Sequence, residues 1–281
     1  MFLEKVRSWP AAAVASLDNE LFILQRSSSQ LHVYDAISFT PRGSIVIPIT
    51  FSAPNFVDMV SCSFYRRLYI ANASVSRSCI VRLEIPRMHK EWKVDGLTSS
   101  TVISVTSSHH VLVFAGGGAK ELKLFSTDGM LYNTVDLHPD LVNVNSAVEF
   151  MPGQYVVTHG RGFDVLHRVC VVNSDGEILH TFGGYRGSHP KLLDSSNGVA
   201  VDKDGFVYVD DEGNNRLIVL TQELNYLHCM PSVFTSPSNI NFCRRMKVDK
   251  ELGRIFVVHT TSTCSGNAYQ TVCKVTIFEQ C

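Results

Sequence analysis

Two histidines in this 281-residue chain could carry metal chemistry. His159 and His259 each follow a short apolar run, Tyr155 to Thr158 and Ile255 to Val258. Two imidazoles brought to one place could hold a metal ion with a carboxylate as third ligand. An equally placed third histidine is missing, because His109 and His110 fall in a turn before their own strand. His159 and His259 therefore read first as polar turn residues, and no metal or cofactor is assigned. Nucleophilic catalysis finds no support: there is no Gly-x-Ser-x-Gly elbow, and serines such as Ser27 to Ser29 and Ser107-Ser108 sit in turn-like segments. Gly116-Gly117-Gly118 lacks the Gly-Lys-Ser/Thr continuation of a phosphate loop and, like Gly160-Arg161-Gly162, reads as a hairpin turn.

Arg66-Arg67 and Arg244-Arg245, with Tyr65 and Phe242 close by, are the residues best suited to single-stranded RNA, where cations track phosphates and rings stack on bases. The global balance of 25 basic and 26 acidic residues, net charge −1, works against a nucleic-acid surface. Eight cysteines at 62, 79, 170, 229, 243, 264, 273 and 281 contain no Cys-x-x-Cys pair, which argues against a zinc module. Most read as small buried apolar residues of a reducing compartment. Cys264 and Cys273 are the pair expected to face each other across a hairpin.

The elements that must position these groups are repeated. Six apolar anchor runs, Leu21 to Leu24, Leu68 to Ala71, Val111 to Phe114, Tyr155 to Thr158, Val207 to Asp210 and Ile255 to Val258, begin 47, 43, 44, 52 and 48 residues apart. Each has an alternating run before it, such as Val199-Ala200-Val201, and another after it, such as Leu217 to Leu220. Asp128-Gly129 and Asp175-Gly176 turn into fourth runs. Four strands at this period suit propeller blades, and the pattern predicts six antiparallel blades in one domain spanning residues 1–281. The sixth copy lacks a fourth strand, while Phe2 to Val6 is left over before the first. The N-terminal segment is therefore expected to supply the outer strand of the last blade and close the ring.

Equivalent positions at the ends of the anchor strands should ring one face near the channel. They read Gln25, Asn72, Ala115, His159, Asp211 and His259. Asp211 suits turn capping, since a carboxylate there can accept backbone N–H groups.

The fifth copy resembles an NHL repeat, the six-bladed propeller unit at the C-terminus of tripartite-motif and Brat-type proteins. The resemblance rests on Gly198 to Asp202, Tyr208 to Asp211, Asn214 and Arg216, with the linker Phe182-Gly183-Gly184-Tyr185-Arg186-Gly187, which ends one repeat and starts the next, ahead of them. The other five copies keep the apolar pattern but lose most of the polar signature. The resemblance implies a propeller and, within that family, target selection for a ubiquitin-ligase module, whose cysteine-histidine zinc pattern this chain does not contain. It also implies two alternatives. One is a metal-dependent enzyme of the amidating-lyase or lactonase kind, and the other is single-stranded RNA binding.

The sequence shows 45% hydrophobic and 18% charged residues, with no apolar run long enough to span a bilayer and no signal-peptide core at its start. A cytoplasmic, monomeric propeller is expected, recognising a protein or peptide rather than catalysing a reaction. Its expected binding face carries the loops after the anchor strands, with Gln25, Asn72, His159, Arg161, Asp211, Arg216 and His259, around a shallow polar pocket at the channel mouth.

Overall fold

The computed structural model describes residues 11–49, 53–85, 88–116, 118–163, 165–231, 240–265 and 268–279, with backbone alone at 88, 231, 240–244, 260–265, 268–274 and 279. They form six antiparallel meanders. The first contains β1 (Ala11–Leu17), β2 (Glu20–Gln25), β3 (Gln30–Asp35) and β4 (Pro41–Val46). The second contains β5 (Phe56–Cys62), β6 (Arg67–Ser74), β7 (Arg77–Glu84) and β8 (Met88–Lys93). The third contains β9 (Val102–Val105), β10 (Val111–Phe114), β11 (Glu121–Phe125) and β12 (Leu131–Asp136). The fourth contains β13 (Val144–Met151), β14 (Gln154–His159), β15 (His167–Asn173) and β16 (Ile178–Gly184). The fifth contains β17 (Ser196–Val201), β18 (Val207–Asp211), β19 (Arg216–Leu220) and β20 (Tyr226–Pro231). The sixth contains β21 (Ile240–Asp249), β22 (Arg254–Ser265) and β23 (Ala268–Glu279). The strand content matches the repeat read from sequence. The closing strand expected at Phe2 to Val6 lies outside the described residues.

The first strands pack against one another in the cycle β1, β5, β9, β13, β17, β21 and back to β1, which closes the ring. Side-chain alternation explains why no blade stands alone. On β2, Phe22 and Leu24 pack with Phe56, Met59 and Ile70 of the second blade, while Leu21 packs with Phe256, Val258 and Ile277 of the sixth. Each of the six blade interfaces holds its own apolar cluster. Successive side chains on one strand therefore belong to two different cores.

First-to-second strand turns emerge on one face, and second-to-third turns and blade-to-blade connections on the other. On the first of these faces Asp202 Oδ1 accepts the N–H groups of Asp204 and Phe206, both at 2.9 Å, and Asp249 does the same for Glu251 at 3.0 Å and Leu252 at 2.9 Å.

Cys62, Cys79 and Cys170 are buried, as expected of small apolar residues, whereas Cys229 on the outer strand β20 is exposed. Burial pushes the Cys79 thiol up to about 11 and that of Cys170 up to about 12. Cys264 and Cys273 are not cross-strand partners. Backbone register sets Cys264 opposite Tyr269 and Cys273 opposite Thr260, a stagger of four positions, or roughly 13 Å at strand rise, beyond the reach of a disulfide.

Candidate functional site

The ring read from the anchor-strand ends exists in register. Gln25 pairs with Ala11, Asn72 with Phe56, His159 with Val144, Asp211 with Ser196 and His259 with Cys243, all at the face of the second-to-third turns. Asn72, His159, Asp211 and His259 are buried, and Gln25 and Ala115 half-buried. They lie beneath the loops, where two of them serve as anchors. Asn72 Oδ1 accepts the N–H of Asn55 at 2.8 Å while its Nδ2 donates to the Arg77 carbonyl. Asp211 Oδ1 accepts the N–H of Asp194 at 2.6 Å. Where the third blade has Ala115, Thr98 and Thr101 hydroxyls donate to its carbonyl instead, at 3.0 and 2.6 Å.

His159 is unsuited to metal binding as it stands. Its Nε2 accepts from Arg168 Nε at 3.1 Å, so that lone pair is engaged by a cation. Burial and the Arg168 charge push its pKa down to about 4. Among the described residues no group of three or more His, Cys, Asp or Glu is placed to hold a metal ion.

The fifth blade carries a dense network. Asp211 Oδ2 accepts from Asn214 Nδ2 at 2.8 Å and Arg216 Nε at 2.7 Å, and the Arg216 Nη atoms donate to the carbonyls of Ser188, His189 and Leu192. Asn214 also donates to the Gly187 carbonyl at 2.9 Å. The signature residues thus fix the turn they belong to and, in addition, the 185–195 connection from the fourth blade. Arg216 is spent internally rather than offered to an anion. Sequence reasoning missed His167, fully buried, whose Nδ1 accepts from the Ser195 N–H at 2.7 Å while Nε2 meets the Gly162 carbonyl at 2.8 Å. Its partners lie 28 and five residues away, with no local pattern to announce them.

These two pinned loops raise an exposed cluster between the fourth and fifth blades. Phe163 is 83% and Tyr185 81% exposed. The Arg186 guanidinium lies 4.7 Å from the Phe163 ring centroid, and its Nε meets Asp194 Oδ1 at 2.8 Å. Arg161 reaches Glu212 at 4.0 Å. Burial alone would raise the Asp194 pKa, but hydrogen bonds from Arg186 and Ser195 outweigh it and hold the carboxyl below its ordinary range. Burial raises that of Glu212.

The channel is bridged in the middle. Asp58 of β5 is buried and meets Arg245 Nε at 3.4 Å and Lys247 Nζ at 3.1 Å, both from β21. Arg245 also donates to the Thr101 carbonyl at 2.6 Å and Lys247 to that of Ile103 at 2.7 Å, so two cations cross to the inner edge of the opposite blade. Burial pushes the Lys247 pKa down against the pull of Asp58. A cavity of about 440 Å³ opens at the first-to-second turns, lined from all six blades, Lys247 among them. On its rim Phe64 stacks on His109 at 4.2 Å, and His109 Nδ1 is 3.9 Å from the Cys62 thiol.

The arginines considered for RNA are paired within the chain: Arg66 with Asp18 at 2.7 Å, Arg67 with Glu84 at 2.9 Å, and Arg245 as above. The side chains of Phe242 and Arg244 lie outside the described residues. No described helix is long and apolar enough to cross a membrane.

Six meanders closed into a ring, with loop-bearing faces and a bridged channel, define a β-propeller. Solved structures share that fold. The virginiamycin B lyase of Staphylococcus aureus is 9% identical over 96% of this chain and 87% of its own, with a TM-score of 0.61. The PQQ-bound aldose sugar dehydrogenase of Streptomyces coelicolor is 11% identical over 99% and 98%, with a TM-score of 0.62. The β-propeller domain of Cps50 (Swd1) from Myceliophteria thermophila is 11% identical over 96% and 84%, with a TM-score of 0.57. At such identities the likeness concerns the fold alone. No family model and no curated protein matches the sequence, so the resemblance to NHL repeats stays at the level of the fifth blade.

Proposed function

We propose that this propeller is a non-enzymatic recognition platform that binds a protein or peptide on the face of the second-to-third turns. The observation that carries this is the pair Phe163 and Tyr185, more than four-fifths exposed on loops held by partly buried hydrogen bonds. Large aromatic side chains cost free energy in water and dominate the energetics of interfaces when a partner covers them. Rigid supporting loops reduce the ordering cost of association. In this reading Asn72, Asp211 and Arg216 shape the surface from beneath, and Arg161 touches the partner. The resemblance of the fifth blade to an NHL repeat supports target selection for a ubiquitin-ligase system as its setting.

The test is a pair of double variants. Phe163→Ser with Tyr185→Ser should abolish binding to a partner identified by cross-linking, and Phe64→Ser with Tyr65→Ser, on the opposite face, should leave it intact. The reverse outcome, in folded proteins, would move the interface to the cavity face.

A further inference from the structure

We infer that the surface around Phe163 and Tyr185 is built for an acidic linear peptide that also carries an apolar residue. This rests on the platform reading and specifies its partner's chemistry. The argument lies in how charge is layered. The two carboxylates of the cluster sit underneath, with the Asp194 side chain 12% and Glu212 11% exposed. The cations stand above them: Arg161 is 61% and Arg186 39% exposed, and Lys191 on the same connection is exposed as well. A ligand approaching from solvent therefore meets guanidinium and ammonium groups before any carboxylate.

The pairing beneath fixes the cations without hiding them. Arg186 is held by Asp194 through Nε, which leaves its terminal nitrogens for a planar two-point contact with a carboxylate. Its stacking on Phe163 gives the arginine a defined direction and leaves the far face of the ring for an apolar side chain. Arg216 and His167, whose hydrogen bonds end on backbone of the two loops, keep the cluster in shape before binding. Single-stranded RNA would use the same residue types, but it needs a run of cations along its backbone. The cluster is short, the protein's net charge is −1, and Arg66, Arg67 and Arg245 are paired elsewhere. A peptide with a few carboxylates fits this dimension better than a polyanion.

The experiment uses the full chain and four fluorescein-labelled probes of twelve residues: Glu-Glu-Phe repeated, Lys-Lys-Phe repeated, Glu-Glu-Ser repeated and oligouridine. Fluorescence polarisation should show the Glu-Glu-Phe probe bound best, with the Lys-Lys-Phe and Glu-Glu-Ser probes each weaker by about tenfold or more. Arg161→Gln and Phe163→Ala should each weaken the Glu-Glu-Phe probe by about tenfold. Lys191→Glu, at an exposed position, should do so without altering the melting curve. Raising salt from 50 to 500 mM should weaken binding. Equal binding of the acidic and basic probes, or indifference to Arg161→Gln and Lys191→Glu, would overturn the inference, and preference for oligouridine would assign the surface to RNA. If no acidic probe binds while a partner is still cross-linked at position 163, the peptide chemistry is wrong and the platform stands. If neither occurs, both fall.

Discussion

Replacing Asp211 by alanine should unpin the whole corner between the fourth and fifth blades. The carboxylate is fully buried and accepts from the Asp194 N–H, the Asn214 amide and the Arg216 guanidinium, at 2.6, 2.8 and 2.7 Å. The change strands two neutral donors, each costing about 1–3 kcal/mol if left buried and unmet, and breaks an ion pair of the kind whose disruption costs about 3–5 kcal/mol. Arg216 keeps three carbonyl acceptors, at Ser188, His189 and Leu192, and Asn214 keeps Gly187, so neither is fully stranded and the net loss falls below the minimum of that sum, about 5 kcal/mol, to about 3 kcal/mol. That exceeds the ~1 kcal/mol typical of one lost side-chain to backbone bond, which is all that sequence reasoning could assign to a turn cap. In urea, with a slope of about 3 kcal/mol per molar, the midpoint should fall by about 1 M. Asp211→Asn, which keeps an acceptor for the Asp194 N–H, should fall by about half as much. A midpoint for Asp211→Ala within about 0.2 M of the parent would refute the reasoning, because the network would then be dispensable.

Three further outcomes are expected. Gly160 has a φ of +94°, and a Cβ there would collide with the Leu166 carbonyl, so Gly160→Ala should lower stability by about 2 kcal/mol in the same urea assay and displace Arg161. His159 is held neutral in the fold down to about pH 4 but gains its proton near 6.5 when unfolded. The unfolded chain therefore binds more protons in that window, stability is lost as pH falls from about 6.5 to about 4, by up to about 3 kcal/mol, and His159→Gln should flatten that slope in pH-dependent melting. Deleting residues 1–7 should lower the melting temperature of the entire ring, since each blade depends on its neighbours for burial; a truncated chain melting within about 1 °C of the parent would rule out N-terminal closure.

The blades were legible because alternation is local. Phe22 and Leu21 point into different interfaces, and a period of two in the sequence is enough to say so. The capping role of Asp211 was legible for a similar reason, as its partners Asn214 and Arg216 lie three and five residues away. What escaped is what joins distant parts of the chain. The Lys247–Asp58 pair spans 189 positions, and its trace in sequence was two cations flanking Met246 and an acid inside the apolar run around Met59. The burial of the polar strand ends also escaped, since it is set by the loops that cover them and by Arg245 and Lys247 crossing the channel. Tyr185 and Arg186 fell within the Phe182 to Gly187 linker, but nothing in sequence marked Phe163 and Tyr185 as exposed, since exposure of an aromatic residue in a loop is decided by packing rather than by its neighbours in sequence.

The central claim, recognition on this face, is tested most directly by placing a benzoylphenylalanine in place of Phe163 in one protein and of Phe64 in another. Each is irradiated in extract, and the cross-linked peptides are identified by mass spectrometry. The account predicts a discrete partner joined at position 163, competed away by excess unlabelled chain but not by the Phe163→Ser, Tyr185→Ser double variant, and no such adduct at position 64. Specific, competed adducts at position 64 with none at 163 would contradict it.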